Sequence, residues 1–222
     1  MFNKQEITCL IGKAILLPHT IKKPKLLAGV QIQYRITVQD KNNRVVCYTS
    51  WRTSHSFVAN FLRMMYSQMA QATLTSVTDV LDAVYTLTHN ATNSEVNLTV
   101  NVAALDDAFG IQTGTGTTAE GVNNTKLATK IAHGTGAGQL SYGAITVNVP
   151  AVTGSNTDMV ITRSFTNSSG ASITINEIGL VFGFKDAGNT TRYFLGIRDV
   201  ITATAVANGN SVTIEYKLRT TN

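Results

Sequence analysis

The stretch DMVITRSFTNSSGASITINEIGLVF, residues 158–182, decides the fold. Two runs dense in Val, Ile, Thr and Phe meet across Ser-Ser-Gly. β-Branched and aromatic residues on either side of a turn tripeptide mark strands rather than helices. The same grammar extends both ways. Upstream lie AVYTLTH (83–89), EVNLTVNV (95–102), FGIQTG (109–114) and YGAITVNVP (142–150). Downstream lie RYFLGIRDV (192–200) and NSVTIEYKL (210–218), with an Asn-Gly turn in ANGN (207–210) before the last strand. Short strands at regular spacing with turn signals between them predict a sandwich.

Nearer the N-terminus, GVQIQYRITV (29–38) alternates, with Val30, Ile32, Tyr34, Ile36 and Val38 on one side. The turn DKNN (40–43) and the run RVVCYTSW (44–51) complete a predicted hairpin. One helix is expected, in SHSFVANFLRMMYSQMAQA (54–72). Phe57, Phe61, Met64, Met65 and Met69 recur at helical spacing, and Ser54 or Ser56 would cap the start. The prediction is therefore a mainly β chain: an antiparallel, jelly-roll-like β-sandwich over 29–222 with one principal α-helix near 54–70. Ahead of it, residues 1–28 read as an extended basic arm. This arm holds two of the three prolines and the apolar pieces ITCLIG, AILL and KLL, without a clean period. Left exposed these pieces would be sticky, so the arm is expected to contact another subunit.

Charge divides along the chain. Residues 1–63 carry ten Lys/Arg and two Asp/Glu, and residues 64–222 carry eight and eleven. The basic character belongs to the first segment. Its cations are spread thinly, and only Lys22, Lys23 and Lys25 in KKPK are compact. A docking arm is the expectation, and nucleic-acid binding is not. The two cysteines, Cys9 and Cys47, make no disulfide framework and are expected as buried thiols, though a bond between them stays open. No signal peptide and no run of eighteen apolar residues is visible, so synthesis in a reducing cytoplasm is expected.

One loop invites a chemical reading. In FGIQTGTGTTAEG (109–121), Gly114, Gly116 and Ala119 fit a loose dinucleotide-loop pattern. A phosphate loop must open a helix, and this one breaks again at Gly121 into turn residues. No Lys follows a loop glycine directly, and no acidic residue stands some twenty positions on. The loop is expected to connect strands and to face a neighbouring subunit, with Gly114, Gly116 and Thr117 as assembly contacts beside Lys22, Lys23 and Lys25. His19, His55, His89 and His133 have no metal-ligand spacing, and no nucleophile turn is present. Asp106 and Asp107 are adjacent and make a poor carboxylate pair. No catalytic residue, metal or cofactor is expected.

The order of motifs carries a resemblance. GTGTT then TKL, FTNSSG then NEIGL, and IRDV then an Asn-Gly turn and a final strand resemble tailed-bacteriophage virion proteins over residues 105–218. A looser likeness extends to the collar domain of phage tail fibres. The resemblance implies a non-enzymatic structural part of a virion, made in the bacterial host cytoplasm. It would assemble with copies of itself and with neighbouring virion proteins, as a tail, neck or capsid-decoration protein. Within the matching motifs, Glu177 and the pair Arg198 and Asp199 are charges set in apolar strands. A structural Glu177–Arg198 pair and a solvated edge both stay open. The other reading of the chain is a carbohydrate- or receptor-binding fibre sandwich. It would stack a sugar on Trp51 or on Tyr85, Tyr142 or Tyr193.

Overall fold

A computed structural model describes residues 29–54, 57–70, 72–88 and 97–221. The described chain is mainly β, antiparallel, with one α-helix. The larger sheet has seven strands. Its main path runs β2 (Val45–Tyr48), β1 (Gly29–Gln39), β12 (Ser211–Thr221), β9 (Asn156–Thr166), β7 (Ser141–Val147). β3 (Arg52–Thr53) also pairs with β1, and β8 (Ala151–Thr153) with β9. The second sheet runs β11 (Thr191–Val206), β10 (Ile173–Lys185), β6 (Gly110–Gly114). β4 (Leu74–Thr78) and β5 (Val84–Leu87) form a separate ribbon. This is the mainly β, antiparallel class with one principal helix that the sequence predicts.

Alternation explains which face of the larger sheet is core. Ile32, Tyr34, Ile36 and Val38 of β1 lie opposite Leu218, Tyr216, Ile214 and Val212 of β12, and all but Leu218 are buried. Val30, the first residue of the predicted alternating set, is instead exposed at the end of the sheet. The facing sheet supplies Ile178, Leu180, Phe182 and Phe184 from β10, with Phe194 and Ile197 from β11. β10 is buried on both faces, because Val181 packs with Leu195 and Val58 in a smaller cluster. Its nearly unbroken apolar sequence reflects that double burial.

The helix α1 spans Ala59–Ala70 and starts later than predicted. Phe57 bridges Ile197 of β11, the Val58 amide donates to the Gly196 carbonyl, and the Ala59 amide donates to the Val122 carbonyl. Backbone pairing with β11 therefore holds residues that the apolar stripe assigns to the helix. Ser54 caps nothing; its hydroxyl donates to Asp199. Ser56 lies outside the described residues. Met64 is fully buried and Phe61 partly so.

Three further expectations are corrected. The runs on either side of Ser-Ser-Gly do not pair with each other. β9 pairs with β12, β7 and β8, while β10 pairs with β11 and β6. The turn carries the chain from one sheet to the other. Asn167 makes that crossing: its side-chain amide donates to the carbonyls of Ala171 and Val206, and its backbone joins Gly209 and Asn210 of the second crossing. The segment EVNLTVNV is not a strand over its described residues, where only Thr99 bridges Gly183. Val100 and Val102 are nevertheless buried, so its apolar residues serve as core plugs. Cys47, on β2, is disulfide-bonded rather than a free thiol. Cys9 and the whole arm, with Lys22, Lys23 and Lys25, lie outside the described residues, as do His19, His55 and His89.

Candidate functional site

Of the motifs that carry the resemblance, GTGTT, NEIGL and IRDV, with the residues that follow TKL, converge on one buried ion pair. Glu177 sits on β10 and Arg198 on β11, both essentially inaccessible to solvent. Their Nε–Oε2 separation is 2.8 Å. The carboxylate also accepts backbone amides from the long loop that follows β6: Gly116 at 3.1 Å, Ala128 at 3.0 Å and Thr129 at 2.7 Å. The guanidinium donates to the carbonyls of Thr118 at 2.8 Å and Ala119 at 3.3 Å, and to Asn124 Oδ1 at 3.0 Å. Residues 116–129 are thus tied at six points to two side chains. Of the two readings of Glu177 and Arg198, the structural pair is the one observed.

This arrangement explains the glycines. Neither Gly114 nor Gly116 has a positive φ. Each instead leaves room for Glu177: a Cβ on Gly114 would stand 2.5 Å from Glu177 Oε1, and one on Gly116 would be closer still. Both glycines are buried against their own chain, and of the three expected contacts only Thr117 is exposed. Gly116→Ala is expected to cost about 1–3 kcal/mol, the range for overpacking. Its backbone could tolerate alanine, so the cost is steric. A urea midpoint equal to wild type would refute this.

Asp199 follows Arg198 and points to the other face of β11. It is buried and accepts hydrogen bonds from Ser54 Oγ at 2.9 Å and Tyr216 Oη at 3.2 Å. Tyr216 belongs to the facing sheet, so this contact crosses the sandwich. Burial first, and the Asp199 charge second, push the Tyr216 phenol well above its ordinary range. The two adjacent charges of IRDV thus serve two buried centres.

A third buried centre was not legible as such. Arg163 of β9 is fully buried and donates to the carbonyls of Gly143 at 2.8 Å, Phe109 at 3.0 Å and Ile111 at 3.1 Å, and to that of Asp106. Its guanidinium lies over the Tyr142 ring at 4.7 Å. Burial lowers its pKa from the usual arginine value. Arg163 alternates with Ile161 and Phe165, and an arginine on the inward side of an apolar strand is the signal that marks it. The ring beside it, Tyr142, is also buried, which raises its phenol to about 12.

The remaining candidates have structural partners. Asp107 accepts the His133 amide and pairs with Lys130, while Asp106 caps the Ala108 amide. His133 Nδ1 accepts the Tyr142 amide. Trp51 is half-buried, with Lys217 Nζ 4.0 Å and the Arg35 guanidinium 4.8 Å from its ring centre. Tyr85 lies under Arg192 at 4.2 Å, and Tyr193 stacks on Phe109 at 5.1 Å. Among the described residues, no group of three His, Cys, Asp or Glu side chains is placed to hold a metal ion. No helix there is long and apolar enough to cross a membrane.

The outward features lie on the larger sheet. β2 ends it on one side and exposes Val45, Val46 and Tyr48. On the other side, β8 and its approach expose Val149 and Val152 at 86% and 76%. Isolated exposed valines are ordinary, but here they line the two ends of one sheet, where strand edges invite pairing. Comparison of the chain with family models, with curated proteins and with solved structures found no match.

Proposed function

We propose that the chain is a structural component of a bacteriophage virion, assembling through subunit contacts as a tail, neck or capsid-decoration protein. The observation that carries the assembly reading is the pair of apolar sheet ends. Strand edges are usually blunted by charge, bulges or covering loops. Here β2 and β8 present valines, although Pro150 stands beside β8. The two ends differ in sequence, so joining one to the other is a heterologous contact. Such contacts close into rings or propagate as helical tubes. The phage reading is supported by the ordered motifs. The G-x-G-T-T loop, TKL, NEIGL and IRDV are parts of one structural unit around Glu177 and Arg198, which accounts for their appearing together. The polar centres described above act within the chain, which supports a structural role.

The test is assembly of the purified full chain, followed by light scattering and negative-stain microscopy. Rings or tubes are expected. Val46→Lys and Val152→Lys should each leave the circular dichroism unchanged and shift the protein to monomer, since both positions are exposed and a charge at an edge opposes pairing. A chain that stays monomeric at every concentration would remove the assembly reading. An antibody to the C-terminal residues that fails to mark the tailed particles released from cells making this chain would remove the virion reading.

A further inference from the structure

An apolar groove of about 700 Å³ opens at one end of the sandwich. Val30 of β1 and Val147 of β7 stand on its sheet side, and Phe61 and Leu62 of α1 face them. The fully buried Leu180 and Ile197 form its floor. Asn101 is the one polar residue among the described residues that line it. Beside the groove stands a ridge. Leu62 is 68% and Tyr66 54% exposed, one turn apart on α1. A surface helix normally turns charged and polar residues to solvent. α1 carries a single charge, Arg63, and shows leucine and tyrosine there instead. A patch this apolar and this open calls for a cover.

We propose that ridge and groove are the two halves of an isologous contact with a second copy of this chain. A two-fold axis brings the same patch of both copies together, so that patch must hold both a projection and a hollow to receive it. Here the two adjoin, because Leu62 is at once groove rim and ridge. Leu62 and Tyr66 of one copy enter the other's groove opposite Val30, and the exchange is reciprocal. The exposed fractions of Val30, Phe57, Leu62, Tyr66 and Val147 amount to about 2.7 whole residues, or roughly 400–540 Å² at about 150–200 Å² each. A pair then buries about 1,000 Å², the least that a specific contact needs, and the half-buried Met159 and Leu218 of the groove wall add to it. A contact of that size is weak, with a dissociation constant on the order of 100 µM. The disulfide of Cys47 lies elsewhere: Cys47 pairs with Val38, eight residues along β1 from Val30, about 27 Å by strand rise. A weak two-fold contact gains strength between copies already held in a ring. Heterologous edge contacts close rings, and a two-fold contact pairs two rings face to face, with its strength summed over the copies. The pairing of rings rests on the edge contacts proposed above; the two-fold contact itself does not.

Sedimentation equilibrium of the full-length Val46→Lys protein, whose strand edge is blocked, reads the two-fold contact alone. Between about 10 µM and about 1 mM it should pass from monomer to dimer and no further. Leu62→Asp added to it should weaken pairing at least about tenfold and keep it largely monomeric over that range. Val30→Asp, on the opposite wall, should do the same. Both positions are exposed, so the circular dichroism should not change. Mixing Leu62→Asp copies with Val30→Lys copies should restore dimers, because the new charges meet in one half of the contact while the other half is unaltered. In micrographs of the chain with its edges intact, rings should lie in pairs, and Leu62→Asp should leave them single. A Val46→Lys protein still monomeric at about 1 mM would overturn the proposal. A dimer that survives both Leu62→Asp and Val30→Asp would overturn it too, and so would a mixture that fails to pair, since the contact would then not be reciprocal. Rings absent from the wild type while Val46→Lys protein still dimerises would remove the edge contacts and leave the two-fold contact standing.

Discussion

Glu177→Ala is expected to destabilise the protein by about 3–5 kcal/mol, the cost of removing one partner of a buried ion pair. Arg198 would keep its charge at 1% side-chain exposure with no carboxylate beside it. The amides of Gly116, Ala128 and Thr129 would lose their acceptor at the same time. Guanidinium-chloride unfolding reads the first effect. Hydrogen exchange across residues 114–129 reads the second, and protection there should fall even under conditions where the rest of the fold persists. A second comparison separates the pair from the loop it holds. Swapping both members of a buried pair for apolar residues is often neutral. Here Glu177→Leu with Arg198→Leu is not expected to recover. The amide of buried Gly116 would remain unpaired, at about 1–3 kcal/mol, while the exposed Thr118, Ala119, Ala128 and Thr129 would turn to water and leave the loop untied. A double variant as stable as wild type would mean that the loop's backbone finds partners elsewhere, and that Glu177 and Arg198 do not organise it.

Arg163→Met should be of similar size, at least about 3 kcal/mol, for a different reason. Among the described residues, the cation has no carboxylate in hydrogen-bond contact. Its value lies in the four carbonyls it satisfies, three of them in the segment 106–111 and one at Gly143. Methionine fills much of the volume and serves none of them. Arg163→Lys should restore only part of the loss, because an ammonium offers three donors and no planar fork. Calorimetry of the three proteins checks the order wild type, Arg163→Lys, Arg163→Met. If methionine proves equal to wild type, Arg163 is not the staple between β9 and β6 that its hydrogen bonds describe.

These two arginines show how far the sequence reaches. Alternation in GVQIQYRITV determined the inward face of β1, and the Val/Ile/Thr-rich runs determined most of the strands and their antiparallel class, because a strand's face is a local, period-two property. The apolar stripe determined that a helix follows, though not its first turn, since pairing of residues 57–58 with β11 overrides the stripe. The local sequence of Ser-Ser-Gly marks a turn, yet it does not say whether the turn closes a hairpin or crosses between sheets. That choice depends on Asn167 meeting Val206, nearly forty residues away. Likewise Gly-Thr-Gly reads as a flexible connector until Glu177 is placed beside it. Then the glycines become the only residues small enough for the carboxylate to reach the loop's amides. What a residue does to its own backbone was written in the chain. What a buried charge does depends on which distant carbonyls and amides the packing brings within 3 Å of it, and only the tertiary structure decided that.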